Sequence, residues 1–236
     1  MYSPLFFSPS PSSGELSEAE AYHIARALRG RPGMELFVTD GKGNCIKALL
    51  TGVTPKKATF EPLETLSVYK RPYRVRIAVA PTRKPERNEW MLEKLVELGV
   101  DEISFIKTTH THLESFSRVV NRDRMEKIAV SAMKQSGQFA LPEIKIGTNI
   151  SELIALPGKG DLFIAYVPEQ NTAPVLHQAA TESTDALVLI GPEGDFTPEE
   201  VTAATSAGFQ PVSLGPTRLR TETAAIAACL AIHLAR

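Results

Sequence analysis

The chain has 236 residues, of which 43% are hydrophobic and 22% charged, and its formal net charge at pH 7 is −1. This composition is typical of a globular protein and excludes collagen-like, low-complexity and disulfide-rich classes. No run of about 18 apolar residues occurs, so we expect no membrane span or export signal and place the protein in the cytoplasm. Cys45 and Cys229 lie far apart and in no ligand spacing, so we expect no metal.

Charge is distributed unevenly along the chain. Residues 1–145 carry 22 Lys and Arg against 17 Asp and Glu, a net charge of +5, whereas residues 146–236 carry 4 against 10, a net charge of −6. The basic N-terminal part favours binding of a polyanion, and the acidic C-terminal part favours binding of a cationic small molecule. Solvated surface charge is the alternative explanation of the same asymmetry.

Residues 1–70 predict a small β-rich domain with one helix. Ser17 and Glu20 form a capping-box pattern for a helix over residues 16–28. Strands are predicted at residues 34–39, 45–53 and 58–62, with a hairpin turn at residues 40–43. We expect a compact barrel, followed by a linker within residues 61–72.

From Tyr73 onward, short apolar runs alternate with helical patterns, which predicts an α/β domain with a parallel sheet over residues 71–236. Strands are predicted at residues 74–80, 103–106, 162–166, 187–190 and 212–214. Helices are predicted at residues 88–98, 123–136, 197–208 and 221–234. Asp123 with Glu126, and Thr197 with Glu200, have capping-box spacing at the starts of two of these helices.

Two glycine-containing loops follow predicted strands. One reads Gly-Pro-Glu-Gly-Asp-Phe at residues 191–196, and the other reads Gly-Pro-Thr-Arg-Leu-Arg-Thr-Glu-Thr-Ala at residues 215–224. Ligands of parallel α/β sheets bind at the carboxyl ends of the strands, and glycine lets the main chain approach a ligand closely. Glycines that merely end strands are the alternative, but two such loops together favour a binding site.

No other cofactor motif competes with these loops. The sequence has no P-loop, no G-x-G-x-x-G after a strand and no G-x-S-x-G. His110 and His112 have the spacing of a metal pair, but no further ligand follows at a suitable distance. A solvated loop is therefore the better interpretation of these two histidines.

The two loops, in this order, resemble the paired signature of the bacterial 16S rRNA uracil-N3 methyltransferases, the RsmE family of the SPOUT superfamily. Residues 93–101, 126–136 and 141–144 resemble the middle of that family, and residues 23–29 and 40–43 resemble its front domain. The resemblance implies a PUA-like RNA-binding β-barrel at residues 1–70, followed at residues 71–236 by a SPOUT-type parallel sheet with a deep trefoil knot. It further implies a homodimer that uses S-adenosylmethionine to methylate N3 of a specific uridine in 16S rRNA or in the assembled small ribosomal subunit.

The same resemblance assigns the site residues. The cofactor-binding candidates are Ile190, Gly191, Pro192, Glu193, Gly194, Leu214, Gly215, Leu219, Arg220, Thr221, Thr223 and Ala224. Uracil N3 carries a proton that must leave, so Arg220 is the candidate to stabilise the developing negative charge, and Glu222 is a candidate base or orienting group. A structural Arg220–Glu222 pair that shapes the loop is the alternative.

Basic residues in both predicted domains are candidates for phosphate contacts. They are Arg26, Arg29, Lys42, Arg83, Lys84 and Arg87. Gln138 and Ala140 stand where the family often has arginine, which predicts weaker or relocated contacts. Two other functions stay open: a related methyltransferase that modifies a ribose 2′-hydroxyl or another base, and a non-catalytic RNA-binding assembly factor.

Overall fold

The computed structural model describes residues 4–68, 70–166, 173–180 and 185–236, so Tyr69 of the predicted linker lies outside the described residues. The chain divides into two compact units, residues 1–70 with 130–141 and residues 71–129 with 142–236. The sequence analysis places residues 1–70 alone in the first domain and does not assign residues 130–141 to it. Within the first unit, the carbonyl oxygen of Phe139 accepts hydrogen bonds from Thr39 Oγ1 at 2.8 Å and from Gly43 N at 2.9 Å.

The N-terminal unit contains a five-stranded sheet. Its strands are β1 Leu5–Phe7, β2 Glu15–Leu16, β3 Glu35–Thr39, β4 Cys45–Val53 and β5 Ala58–Leu66. They are ordered β1-β3-β4-β5-β2, with β1 parallel to β3 and the other pairs antiparallel. The predicted end of β5 at Pro62 is wrong, because Pro62 pairs with Ala48 beside a register shift, where a strand tolerates proline.

The helix of this unit is shorter than predicted. It begins at the predicted cap, since Ser17 accepts a hydrogen bond from Glu20 N at 3.3 Å, but α1 spans only Glu18–Tyr22 and continues as a π-helix over His23–Ala27. Ala21 and Ile24 pack into the apolar core of the sheet. Glu20 is buried and forms an ion pair with Lys134 at 2.6 Å.

The C-terminal unit is built on a six-stranded, fully parallel sheet. Its strands are β6 Arg74–Val79, β7 Glu102–Lys107, β8 Glu143–Asn149, β9 Asp161–Ala165, β10 Asp185–Ile190 and β11 Gln210–Val212, in the order β11-β9-β10-β6-β7-β8. The predicted α/β class with a parallel sheet is confirmed. The carboxyl ends of β9, β10 and β11 are neighbours at one edge, so the segments that follow β10 and β11 meet there.

Helices follow these strands along the chain. They are α2 Pro85–Leu98, α3 Phe116–Val119, α4 Arg122–Gln135, α5 Ile150–Ala155, α6 Leu176–Ala179, α7 Pro198–Ser206 and α8 Thr221–Leu234. The predicted capping box of α7 is present, whereas α4 is preceded by Asn121, whose Oδ1 accepts from Arg124 N at 3.0 Å, and the predicted cap at Asp123 is wrong. Within the described ranges, no helix is both long and apolar enough to cross a membrane.

Candidate functional site

The two glycine loops surround one cavity of about 920 Å³ at the carboxyl edge of the sheet. We call it the loop cavity. It is lined by Arg87, Ala165, Ile190, Gly191, Pro192, Glu193, Gly194, Asp195, Val212, Leu214, Gly215, Pro216, Thr217, Arg218, Leu219, Arg220, Thr221 and Ala224. Of the predicted cofactor-binding residues, Thr223 is exposed on α8 and is not part of this lining.

Local hydrogen bonds hold the two loops in place. Thr221 Oγ1 donates to the carbonyl oxygen of Gly191 at 3.1 Å, which joins the start of α8 to the end of β10. Ser213 Oγ donates to Gly215 O at 3.1 Å and accepts from Gly215 N at 3.2 Å. Gly215 has a φ of 131°, which only glycine adopts readily. The loop cavity is therefore preformed by main-chain and hydroxyl contacts.

The segment after β7 braces the loop after β10. Glu200 Oε1 accepts hydrogen bonds from Thr109 N at 2.7 Å and Thr109 Oγ1 at 3.0 Å, while Glu200 Oε2 accepts from Thr197 N at 2.9 Å. His110 Nδ1 lies 2.9 Å from the carbonyl oxygen of Asp195. Gly194 packs beside the His110 ring, since a Cβ at this position would meet that ring at 3.4 Å, an ordinary van der Waals distance. Sequence reasoning did not identify this brace, because it depends on tertiary neighbours.

Arg87 carries positive charge into the loop cavity. Its Nη1 lies 3.6 Å from Glu222 Oε1 and 3.7 Å from Glu193 Oε1. Glu222 is buried, and its Oε2 has no hydrogen-bond partner among the described residues. The sequence analysis predicts that Arg87 binds a phosphate. In the structure, its guanidinium lies between two carboxylates instead.

Arg220 is the N-cap residue of α8 and lies exposed at the loop cavity. Its guanidinium forms no ion pair with any residue in the described part of the chain, and Glu222 pairs with Arg87 instead. The alternative of a structural Arg220–Glu222 pair is therefore wrong. An unpaired guanidinium at a helix N-terminus is suited to stabilise negative charge on a ligand.

The other predicted phosphate-binding residues are exposed in their own units. Arg26, Arg29 and Lys42 belong to the N-terminal unit, and Arg29 has a φ of 51°, in the left-handed region. Arg83 and Lys84 precede α2 in the C-terminal unit. Ala140 forms an isolated β-bridge with Lys42.

A second cavity of about 520 Å³ lies beside the first, and we call it the histidine cavity. It is lined by Pro81, Thr82, Arg83, Thr109, His110, Thr111, His112, Phe116, Val119, Pro192, Glu193 and Gly194. Residues 192–194 line both cavities. Across the described residues, no group of three or more His, Cys, Asp or Glu side chains is arranged to hold a metal ion.

Comparison with known proteins decides the family. Residues 69–233, which are more than half of the chain, match the family model of the RNA methyltransferase domain. The chain belongs to this RNA methyltransferase family. The family membership predicted from the two loops is thus confirmed.

Solved structures extend the likeness of this RNA methyltransferase to the whole chain. A protein of Porphyromonas gingivalis described as a "probable rRNA-methyltransferase" is 42% identical with a TM-score of 0.89, and the alignment covers 98% of each chain. The ribosomal RNA small subunit methyltransferase E of Neisseria gonorrhoeae, solved bound to S-adenosylmethionine, is 29% identical with a TM-score of 0.87 over 99% of this chain and 98% of that one. The protein of the same name in Bacillus subtilis is 27% identical over 90% of this chain and 86% of its own length.

Proposed function

We propose that this RNA methyltransferase uses S-adenosylmethionine to methylate N3 of a specific uridine in 16S rRNA, as free RNA or in the assembled small ribosomal subunit. The observation that carries the proposal is the meeting of the two glycine loops around one cavity, whose lining includes Arg220, a residue with no ion pair among the described residues. Relatives named ribosomal RNA small subunit methyltransferase E align with nearly the whole chain. We place the reaction in the cytoplasm, where small subunits are assembled.

The loop cavity fits the cofactor. Its volume of about 920 Å³ is within the range of small-molecule sites, and glycine main chain from both loops faces it. The apolar side chains of Ile190, Leu214 and Leu219 suit an adenine ring, and the half-exposed carboxylate of Glu193 suits a cationic ligand. When bound, S-adenosylmethionine supplies an electrophilic methyl group on a positively charged sulfur.

Arg220 and Glu222 have different roles in this proposal. Uracil becomes a nucleophile at N3 only when its N3 proton passes to solvent water, so negative charge must be stabilised on the ring. Arg220, the N-cap residue of α8, supplies that stabilisation together with the helix dipole. Glu222 does not line the loop cavity and lies against Arg87, so it orients Arg87 rather than accepting the proton.

The finer architecture is part of the same proposal. We infer that the N-terminal unit is a PUA-like RNA-binding barrel, which its mainly antiparallel sheet and the exposed Arg26, Arg29 and Lys42 support. The deep trefoil knot would involve the segments after β10 and β11, which are joined by the hydrogen bond from Thr221 to Gly191.

We further infer a homodimer in which a second copy of this chain covers one face of α8. Leu230 is 42% exposed and Leu234 is 76% exposed, and residues four apart lie on the same face of a helix. Two exposed leucines on one face mark an interaction surface better than scattered apolar residues do. Aspartates, glutamates, lysines and arginines are absent from α8 after Glu222, which fits a face buried against a partner.

Two measurements test the proposed reaction. Purified protein is titrated calorimetrically with S-adenosylmethionine, and it is then incubated with small ribosomal subunits and labelled cofactor before nucleoside analysis by mass spectrometry. We expect cofactor binding and 3-methyluridine as the product. A ribose-methylated or other base-methylated product would replace the N3 assignment, and no binding at millimolar cofactor would favour an assembly factor.

Arg220→Ala tests the role of the unpaired guanidinium. We expect kcat to fall by about 10²-fold or more while the cofactor Kd stays within a few-fold, because the lost interaction stabilises mainly the transition state. Arg118→Ala is the matched control, since Arg118 is an exposed arginine of α3 outside both cavities. Near-normal turnover by the Arg220 variant would remove it from the mechanism.

A further inference from the structure

Arg87 reaches the loop cavity from a fixed position in the first turn of α2. The next residue, Asn88, is fully buried; its Nδ2 donates to Thr82 O at 2.9 Å and to Val119 O at 3.1 Å, and its Oδ1 accepts from Thr82 N at 2.8 Å. These hydrogen bonds hold the start of α2 against the segment that follows β6. The side chain of Arg87 is therefore carried by a rigid main chain, and it is only 29% exposed at the cavity.

The guanidinium of Arg87 keeps its hydrogen-bonding capacity. Its contacts with Glu193 and Glu222 both join Nη1 to Oε1, at 3.7 and 3.6 Å, which is longer than a hydrogen bond. Among the described residues, its side chain donates no hydrogen bond. A guanidinium carries five N–H donors, so the two carboxylates orient this one by charge and leave its donors available to a ligand.

Arg87 and Arg220 approach the same side of the loop cavity from different segments. Thr221 Oγ1 donates to Gly191 O at 3.1 Å, which places the preceding residue, Arg220, beside the end of β10. In the sheet, β10 and β6 are neighbours, and Arg87 follows β6. Arg87 Nη1 contacts Glu222, only two residues after Arg220. Both arginines line the loop cavity, so a ligand beside the start of α8 lies next to two guanidinium groups.

The chemistry of uracil favours two such groups. When N3 loses its proton, its negative charge is shared with the two carbonyl oxygens, O2 and O4, which lie on opposite sides of N3. One guanidinium that donates to one of these oxygens leaves the other oxygen without a donor. Methyl transfer also requires the ring to lie against the methyl donor, on the side of residues 192–194 where both arginines line the loop cavity.

We propose that Arg87 is a second catalytic residue, which donates to one carbonyl oxygen of the target uracil while Arg220 donates to the other. The N3–H bond breaks, and its proton passes to solvent water. The N3 lone pair then bonds to the methyl carbon, and the electron pair of the carbon–sulfur bond stays on sulfur. Stabilisation at both oxygens lowers the cost of the anion that precedes transfer. This inference rests on the proposed function, because it presupposes uracil as the methylated base.

The test removes the charge of Arg87 in two backgrounds. Arg87→Met alone leaves the buried carboxylate of Glu222 without its cation, so the double variant Arg87→Met/Glu222→Gln is made beside it to keep the protein folded. Arg124→Met is the matched control, since Arg124 also pairs with a glutamate, Glu89, but lies outside both cavities.

The substrates are small ribosomal subunits reconstituted with 16S rRNA that contains either uridine or 5-fluorouridine, whose N3–H is more acidic. Single-turnover methylation is measured at pH 7 with saturating S-adenosylmethionine, and the cofactor Kd is measured by calorimetry. We expect both Arg87 variants to methylate uridine about 10²-fold more slowly than the wild type, with a cofactor Kd within about threefold. The Arg124 variant should match the wild type in both measurements.

5-Fluorouridine separates a catalytic role from a structural one. We expect it to speed both Arg87 variants at least about fivefold more than it speeds the wild type, because a more acidic base depends less on the missing cation. A residue that only shapes the loops would slow the reaction of both bases by the same factor.

Two results would overturn the assignment: a double variant that methylates within about threefold of the wild-type rate, or a 5-fluorouridine effect that is equal in the variants and the wild type. A slow Arg218→Met variant beside a normal Arg87 double variant would give the role to Arg218, which is exposed and also lines the loop cavity. Failure of the proposed function gives a different pattern, in which the wild type makes no 3-methyluridine. If the wild type makes 3-methyluridine and the Arg87 variants are as fast, only the role of Arg87 fails.

Discussion

At the scale of single residues, the contact between Arg87 and Glu222 is the strongest candidate for energetic coupling at the site. Glu222 is buried, and Arg87 Nη1 is the one cation within 4 Å of it among the described residues, 3.6 Å from Oε1. Arg87→Met removes the positive charge beside this buried carboxylate. We therefore expect the free energy of unfolding to fall by about 1–3 kcal/mol. The free energies of unfolding of Arg87→Met, Glu222→Gln and the double variant, measured by chemical denaturation, complete a double-mutant cycle. Equal losses from Arg87→Met with and without Glu222 would show that the two residues are not coupled.

His233 makes stability depend on pH. Burial, reinforced by the Arg71 guanidinium, lowers the pKa of His233 to about 4. Arg71 Nη1 lies 3.1 Å and Tyr73 Oη 3.0 Å from His233 Nδ1, so that nitrogen accepts and the ring is neutral.

The unfolded chain protonates His233 near pH 6.5 and the folded protein does not, so stability is complete above about pH 6.5 and is lost as the pH falls towards 4. We expect the Tm of wild type to fall more between pH 7.5 and pH 5 than that of His233→Gln, which cannot titrate. Parallel Tm losses in the two proteins over this interval would contradict the assignment.

Both cysteines should be unreactive in the folded protein. Burial raises the pKa of the Cys45 thiol to about 11 and that of Cys229 to about 12. Thiolate is the reactive form, so Ellman's reagent should modify neither residue at pH 8 until denaturant is added, and then both. Rapid reaction of one thiol in native buffer would contradict this expectation.

At the scale of elements, the brace between the β7 and β10 segments should control the loop cavity. Glu200→Ala removes the acceptor of Thr109 and one half of the α7 capping box. We expect a cost of about 1 kcal/mol in the free energy of unfolding, faster hydrogen exchange in residues 191–197 and weaker cofactor binding. Glu199→Ala, in the same helix turn but exposed, is the control. Unchanged exchange in the Glu200 variant would mean that the loop is held by other contacts.

Which elements could be predicted depends on their length and composition. Cys45–Val53 and Thr221–Leu234 have the predicted bounds, because each has a continuous pattern and clear flanking signals. Leu5–Phe7 and Glu15–Leu16 were not predicted, since so few residues carry no periodicity. Glu143–Asn149 was also missed, as an edge strand whose residues are only partly buried. At α4 the predicted cap, Asp123, lies inside the helix, and the side chain of Asn121 accepts the capping hydrogen bond instead.

At the scale of the whole molecule, the proposed homodimer predicts that a substitution in its interface lowers the mass of the particle in solution from that of a dimer to that of a monomer. Leu230→Glu places a charge on the exposed face of α8, so we expect the dimer to dissociate in sedimentation experiments at micromolar concentration. Leu156→Glu is the control, since Leu156 is 85% exposed and lies outside α8. A Leu230 variant that remains dimeric, or a wild-type protein that is monomeric, would exclude this interface.

The site was only partly predictable from the sequence. The meeting of residues 191–196 with 215–224 follows from glycine spacing and the rule that ligands bind at strand ends. The position of Arg87 between two carboxylates, the Thr109–Glu200 brace and the histidine cavity were not predicted. Each of these depends on side chains from distant segments, which periodicity and local motifs do not relate.

One short turn, residues 192–194, belongs to the lining of both cavities. Displacement of Pro192 or Glu193 by an occupant on one side therefore alters the space offered on the other. Thermodynamic linkage makes such coupling reciprocal. If the bound methyl donor raises the affinity for RNA, bound RNA raises the affinity for the methyl donor by the same factor.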